Sequence, residues 1–203
     1  WYPAEVNASI RPGWFYHKEE DGQVRSLEEL LEIYYHSAGG NAGFLLNIPP
    51  TPEGLFHAND VKRLKEMGDH LRRTFSRNLL EEAELWADSC EAPHGIENVR
   101  RDGYDAYYKT EDEIRSAQIR ISFPRPVSAS CVVIKENILL SQRVEAFEIV
   151  RRDGPSGKEE LLYSGHTVGY RKIVRFERTE LSCLVIRIRD ARVCPAISFI
   201  GVY

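Results

Sequence analysis

Residues 9–17 read SIRPGWFYH and crowd Arg11, Trp14, Phe15, Tyr16 and His17 around a Pro-Gly pair, with a second tryptophan, Trp1, close by. Chain ends are usually polar and frayed, so surface this aromatic faces either another molecule or another part of the fold. Two readings follow: a wall against which a sugar ring stacks, or a piece of core whose other half lies elsewhere. Flat aromatic side chains suit both, because they exclude water over a large area and lose little rotamer freedom on ordering.

Other side chains able to do chemistry are dispersed. The histidines (His17, His36, His57, His70, His94, His166) form no closely spaced pair of the kind that binds zinc on one helix face. Cys90, Cys131, Cys183 and Cys194 show no C-x-x-C spacing, and three of them lie in or beside apolar runs, where cysteine acts as a small hydrophobe. Free thiols are therefore expected, with no metal site. With 27 basic and 31 acidic residues, a formal charge of -4, the chain lacks the basic excess of a nucleic-acid partner. No apolar run approaches the roughly 20 residues needed to span a bilayer, and no basic-then-apolar leader opens the chain, so no membrane partner is expected.

The elements that must hold these residues change character along the chain. SLEELLEIYYHSAGG begins with a capping box, Ser26 with Glu29, places Leu27, Leu30, Leu31, Tyr34 and Tyr35 on one helical face, and ends at Gly39. FLLNI then reads as a strand buried on both faces, as in a parallel sheet. NDVKRLKEMGDHLRRTF follows as a second helix, with Asn59 as its cap and Val61, Leu64, Met67, Leu71 and Phe75 in register. After about Glu84, period-2 segments recur between turn signals: AQIRISF, SCVVI, RVEAFEIV, ELLYSG, YRKIVRF, CLVIRIR and AISFIGV. These seven segments predict an antiparallel β-sandwich, with RRDGPSGKEE as a hairpin tip. The fold class is α/β plus all-β, with residues 1–82 the end of a (β/α)-barrel and 83–203 the sandwich. A complete barrel takes about 250 residues, so the first segment is expected to be the last part of one.

Residues 1–64, with the ordered motifs W-x-P-x-E, SIRPGWFY, S-L-E-x-L and G-x-N-x-x-x-L-L-N-x-P-P, resemble the end of the catalytic barrel of glycoside hydrolase family 29, the α-L-fucosidases. The resemblance is strongest to the branch that cleaves α-1,3 and α-1,4 fucosyl linkages. ENILLSQRVEAFEIV, SGHTVGYRKIVRF and CPAISFIGVY resemble the discoidin-like sandwich that follows the barrel in many of these enzymes. Two positions depart from the family pattern: Gly40 stands where Arg is usual, and Ser141, in LLSQR, where Gly is more common.

The resemblance implies a retaining exo-glycosidase that uses no cofactor, whose mechanism needs an Asp nucleophile and a Glu acid/base roughly 5 Å apart. The family's W-x-D-G context for the nucleophile does not occur in this sequence, so both catalytic residues are expected upstream of Trp1, and no catalytic residue is assigned within the chain. The substrate-binding residues implied are Trp1, Glu5, Arg11 and Trp14: the indoles pack on the apolar face and methyl group of fucose, while Glu5 accepts from and Arg11 donates to its hydroxyls. A Glu5–Arg11 pair fixing the loop is an equal alternative. For Phe15 and Tyr16 barrel core is the stronger reading, and for Tyr104, Tyr107 and Tyr108 a structural seal rather than a sugar platform. The partners implied are a fucosylated oligosaccharide and the rest of the barrel, on a longer or a second chain. The reading from a different class is a non-catalytic carbohydrate-binding or structural module.

Overall fold

In the computed structural model, which describes residues 4–153 and 157–203, strand β1 (Ala4–Ser9) runs parallel to β2 (Ala42–Asn47), in a register from Ala4 opposite Ala42 to Ser9 opposite Asn47. Helix α1 (Leu27–Ser37) connects them, and α2 (Ala58–Thr74) follows β2. The α1 capping box forms as its sequence dictates: Ser26 Oγ accepts from Glu29 N at 3.1 Å, and the Glu29 carboxylate accepts from Ser26 N at 2.8 Å. Leu30, Leu31 and Tyr35 are the buried face of this helix.

Two details differ from expectation. The α2 cap is His57, not Asn59: His57 Nδ1 accepts from Asn59 N at 3.2 Å, which frees the Asn59 amide to donate to Asp21 O at 2.7 Å. Strand β2 is half-exposed, with Leu45 at 44%. The sheet it belongs to has two strands among the described residues, too few to cover both faces.

Gly40 follows the end of α1, where its N–H donates to Ser37 O at 2.9 Å. A Cβ there would meet His36 O at 2.2 Å. The close approach of two backbones accounts for glycine, and an arginine at this position requires a different path out of the helix.

The chain divides into two compact units, residues 2–76 and 77–203. The second is an antiparallel β-sandwich. Its strands are β3 (Glu84–Ala87), β4 (Tyr108–Lys109), β5 (Ala117–Glu136), β6 (Val144–Arg152), β7 (Glu159–Gly165), β8 (Lys172–Ala191) and β9 (Ala196–Val202). AQIRISF and SCVVI, separate in the sequence pattern, are the two halves of β5; YRKIVRF and CLVIRIR are likewise the two halves of β8. The first half of β5 pairs with β3 and with the second half of β8, and its second half pairs with β9 and the first half of β8. Each long strand thus serves both layers, and Ile119, Ile121, Val132, Ile134, Phe147, Ile149, Leu184 and Ile200 fill the space between them. Pro124 and Pro126 fall where the β5–β8 register shifts, between Ser122 and Val127, so their missing N–H groups cost no ladder bond.

The hairpin strands β6 and β7 pair from Phe147 opposite Gly165 to Arg152 opposite Glu159; residues 154–156 of the expected tip lie outside the described residues. Tyr108 is fully buried and its hydroxyl donates to Ser89 O at 2.7 Å, while Tyr107 stacks on His94 with ring centres 4.1 Å apart. All four cysteines are free, Cys90 exposed and the others buried. Among the described residues no helix is long and apolar enough to cross a membrane.

Ser141 has φ 72° and ψ 167°, a region that non-glycine residues occupy only with strain of order 1–3 kcal/mol. Ser141→Gly is expected to raise stability by about 1 kcal/mol, read as an upward shift in the thermal midpoint with no change in the β-sheet signal.

Candidate functional site

Both loops that leave the parallel pair emerge from the same edge, the C-terminal end of β1 and β2. Residues 10–26 lead from β1 to α1, and residues 48–57 from β2 to α2. In α/β folds this edge is where side chains meet ligands, because the helices cover the faces and leave the strand ends open.

The first loop is tightly held. Ser9 Oγ donates to Gly13 O at 2.7 Å, and Asn47 Nδ2 donates to Trp14 O at 2.8 Å and to Ser9 Oγ at 3.2 Å. Gly13 N donates to a Glu20 carboxylate oxygen at 3.3 Å. The backbone is fixed on all sides, yet the side chains it carries are open: Trp14 is 48% exposed and Phe15 76%. From the second loop Leu55 and Phe56 are also exposed. Unsupported aromatic side chains on a rigid backbone are the usual form of a stacking surface. Phe15 is thus not core within this chain, whereas Tyr16 is half-buried.

Arg11 is fully buried. Its Nε donates to both Asp60 carboxylate oxygens at 3.1 Å, and its Nη2 lies 3.0 Å from Asp60 Oδ2. Its Nη1 donates to Asp21 Oδ1 at 2.9 Å, and its guanidinium sits 5.0 Å from the Tyr16 ring centre. The expected alternative of a Glu5–Arg11 pair is corrected here: the arginine is committed to two aspartates, one from its own loop and one from the first turn of α2. Asp60 is itself fully buried. Such a pair is retained only where the geometry is close, since desolvating two charges costs several kcal/mol per ion.

Asp21 completes the network. Its Oδ2 accepts from Tyr16 Oη at 3.2 Å and lies 3.4 Å from His57 Nε2. Because His57 Nδ1 already accepts from Asn59 N, the neutral ring carries its proton on Nε2, directed at Asp21. Burial tends to raise the Asp21 carboxyl, but hydrogen bonds from Arg11 and Tyr16 and the adjoining Arg11 charge outweigh it and hold it below its ordinary value. The Tyr16 phenol is pushed up by burial and by its bond to Asp21.

Glu5 lies on β1 opposite Gly43 and is exposed. It shares a strand face with Asn7 and Ser9 but stands four residues before the strand's end, about 13 Å from the edge that carries Trp14. Trp1 lies outside the described residues. Of the four residues singled out in the sequence, the structure brings Arg11 and Trp14 into one loop. It adds Asp21, Asp60 and His57, none of which the sequence distinguished, together with Asn47 of the L-L-N-x-P-P motif: Asp21-Gly22 reads as a turn, and Asp60 as an ordinary acid in a helix's first turn.

Residues 3–75 match the alpha-L-fucosidase family model. That segment contains both strands, both helices and every member of the network just described. The chain as a whole is 36% identical over 208 residues to Alpha-L-fucosidase 1 of Arabidopsis thaliana, covering all of this chain and 41% of that protein. It superposes with a TM-score of 0.93 on a glycoside hydrolase family 29 fucosidase of Ruminococcus gnavus in complex with fucose, at 31% identity, covering all of this chain and 41% of the other. The chain therefore spans about two fifths of the length of these fucosidases. A likeness of fold alone, at 14% identity and TM-score 0.57, relates 68% of the chain to carbohydrate-binding domains of Clostridium perfringens ZmpB in complex with GalNAc.

Proposed function

We propose that this chain is the C-terminal portion of a retaining exo-α-L-fucosidase that hydrolyses terminal α-1,3/1,4-linked fucose from oligosaccharides or glycoconjugates. Residues 1–82 are the end of its catalytic barrel, and residues 83–203 a discoidin-like sandwich. The similarity to proteins named as fucosidases, more than twice as long as this chain, supports the assignment. The nucleophilic Asp and the Glu acid/base belong to the part of the protein outside these residues.

The observation that carries the reading is the match of residues 3–75 to the fucosidase family model, with Trp14 on a clamped loop at the C-terminal edge of the parallel strands. Its indole packs against the apolar face and methyl group of fucose and keeps water from that side of the ring, with Trp1 as a second wall. Glu5 accepts a hydroxyl hydrogen bond deeper in the site. Arg11, enclosed by Asp60 and Asp21, serves the sugar indirectly by fixing the loop. These residues bind and orient; proton transfer and covalent attack fall to the carboxylates outside the chain, which a retaining mechanism sets on opposite sides of the scissile bond.

The test compares fucose release from an α-1,3/1,4-fucosylated branched trisaccharide by this 203-residue chain and by a longer protein containing it. Release by the longer protein alone is expected. Turnover by this chain alone would move catalysis onto its own residues, with Glu5 the first candidate. If neither releases fucose, the non-catalytic binding module becomes the better reading.

A further inference from the structure

The Asp21 side chain meets three side chains of the candidate site, and its bonds surround the part of the loop that carries Trp14. Its two carboxylate oxygens take Arg11 Nη1 at 2.9 Å and Tyr16 Oη at 3.2 Å, the residues three before and two after Trp14. Its Oδ2 faces His57 Nε2 at 3.4 Å, and its carbonyl accepts from Asn59 Nδ2 at 2.7 Å, both from the start of α2. The four residues between Arg11 and Tyr16 are therefore spanned by one carboxylate, which is anchored in turn to the second loop and its helix. Within the span, Trp14 O is held by Asn47 and Gly13 O by Ser9.

Asp60 holds the other side of the Arg11 guanidinium and is wholly enclosed, so it fixes the arginine in the interior. Asp21 is different: its side chain is 26% exposed, and it is bonded to both ends of the aromatic segment. Charge-assisted bonds are about twice as strong as neutral ones and favour one geometry. Loss of the charge therefore loosens the segment without emptying a core position.

We propose that Asp21 is a positioning residue for the aromatic wall: by bridging Arg11, Tyr16 and His57 it sets the orientation in which Trp14 meets the sugar ring. It does not touch substrate in this account. The inference rests on the reading of Trp14 as a sugar-facing residue, and it is tested in two independent ways.

The first uses the longer protein and needs no activity. The contribution of Trp14 to acrylamide quenching of fluorescence is isolated by subtracting a Trp14→Phe variant. Asp21→Asn is expected to raise that contribution at least about twofold, with Asp21→Glu falling between. An unchanged Trp14 contribution overturns the inference whatever the enzyme does. The second uses the longer protein. Asp21→Asn is expected to raise KM for the fucosylated trisaccharide about tenfold with kcat little changed, and to add nothing to a Trp14→Ala variant, because the two act through one group. Additive penalties, or a loss confined to kcat, overturn it. If the unsubstituted longer protein releases no fucose, the fucosidase reading fails by itself and the quenching result still decides the role of Asp21.

Discussion

Asp60→Ala is expected to destabilise residues 2–76 by about 3–5 kcal/mol, the range found when one partner of a buried ion pair is removed. Arg11 and Asp60 are both fully buried, and the Asp60 carboxylate accepts from Nε at 3.1 Å and lies 3.0 Å from Nη2. With the carboxylate gone, two N–H groups face a small void, and Asp21 alone cannot balance a charge that water no longer reaches. The cost arises from the stranded cation more than from the lost bond, so the paired replacement Arg11→Met with Asp60→Leu is expected to cost less than Asp60→Ala alone. Both α-helices among the described residues lie in residues 2–76, so the loss of α-helical circular dichroism in urea reports on this unit. A shift of Asp60→Ala equal to that of an ordinary surface substitution would mean that water does reach the guanidinium.

Glu136→Ala is expected to cost the sandwich about 3 kcal/mol or more. Glu136 is fully buried, and its carboxylate accepts from Arg143 N at 2.7 Å, Val144 N at 2.9 Å and Gly169 N at 2.6 Å. It thus ends β5 by tying it to the start of β6 and to the loop before β8. Each buried N–H left unpaired costs about 1–3 kcal/mol, and alanine strands all three. Glu136→Gln keeps one acceptor and turns an amide N–H₂ toward the remaining N–H donors, so it recovers only part. Burial raises the Glu136 carboxyl by more than its three N–H bonds lower it. Its folded form therefore holds its proton more tightly than the unfolded chain. Its contribution is fully present below the ordinary carboxylate value and is lost as pH rises through the raised value. Glu136→Gln should remove that part of the pH dependence; an unchanged slope across the weakly acidic range would contradict the assignment.

Local features were legible in the sequence, and features that depend on distant partners were not. The α1 cap could be read because Ser26 and Glu29 are three residues apart and satisfy each other. That β2 belongs to a parallel sheet was expected from one apolar run and the helices around it. The merging of four predicted strands into β5 and β8 was hidden by Pro124, Pro126 and the polar run around Arg175 to Glu180, which look like breaks until the register shifts explain them. Strand β3 is only four residues long, and its exposed Trp86 masks the alternation that its burial follows.

The site divides in the same way. Trp14 stood out by type and company, and the backbone of residues 9–14 that carries it is held by bonds that are local or to Asn47. Arg11 stood out for the same reason, but its role depends on Asp60, 49 residues away, and nothing in NDVKRL marks that aspartate as buried. His57 was passed over as an isolated histidine, yet it both caps α2 and faces Asp21. Glu5 remains a carboxylate of the right kind on the right strand, set back from the edge where Trp14 stands.

The central claim is that Trp14 forms one wall of a fucose site. The direct measurement is kcat/KM for release of fucose from the α-1,3/1,4-fucosylated trisaccharide by the longer protein and its Trp14→Ala variant. Burial of an aromatic side chain against the ring stabilises by about 2 kcal/mol, so a fall of roughly 30-fold is expected, most of it in KM. A kcat/KM within about twofold of the unsubstituted protein would contradict the account and return Trp14 to a purely structural role.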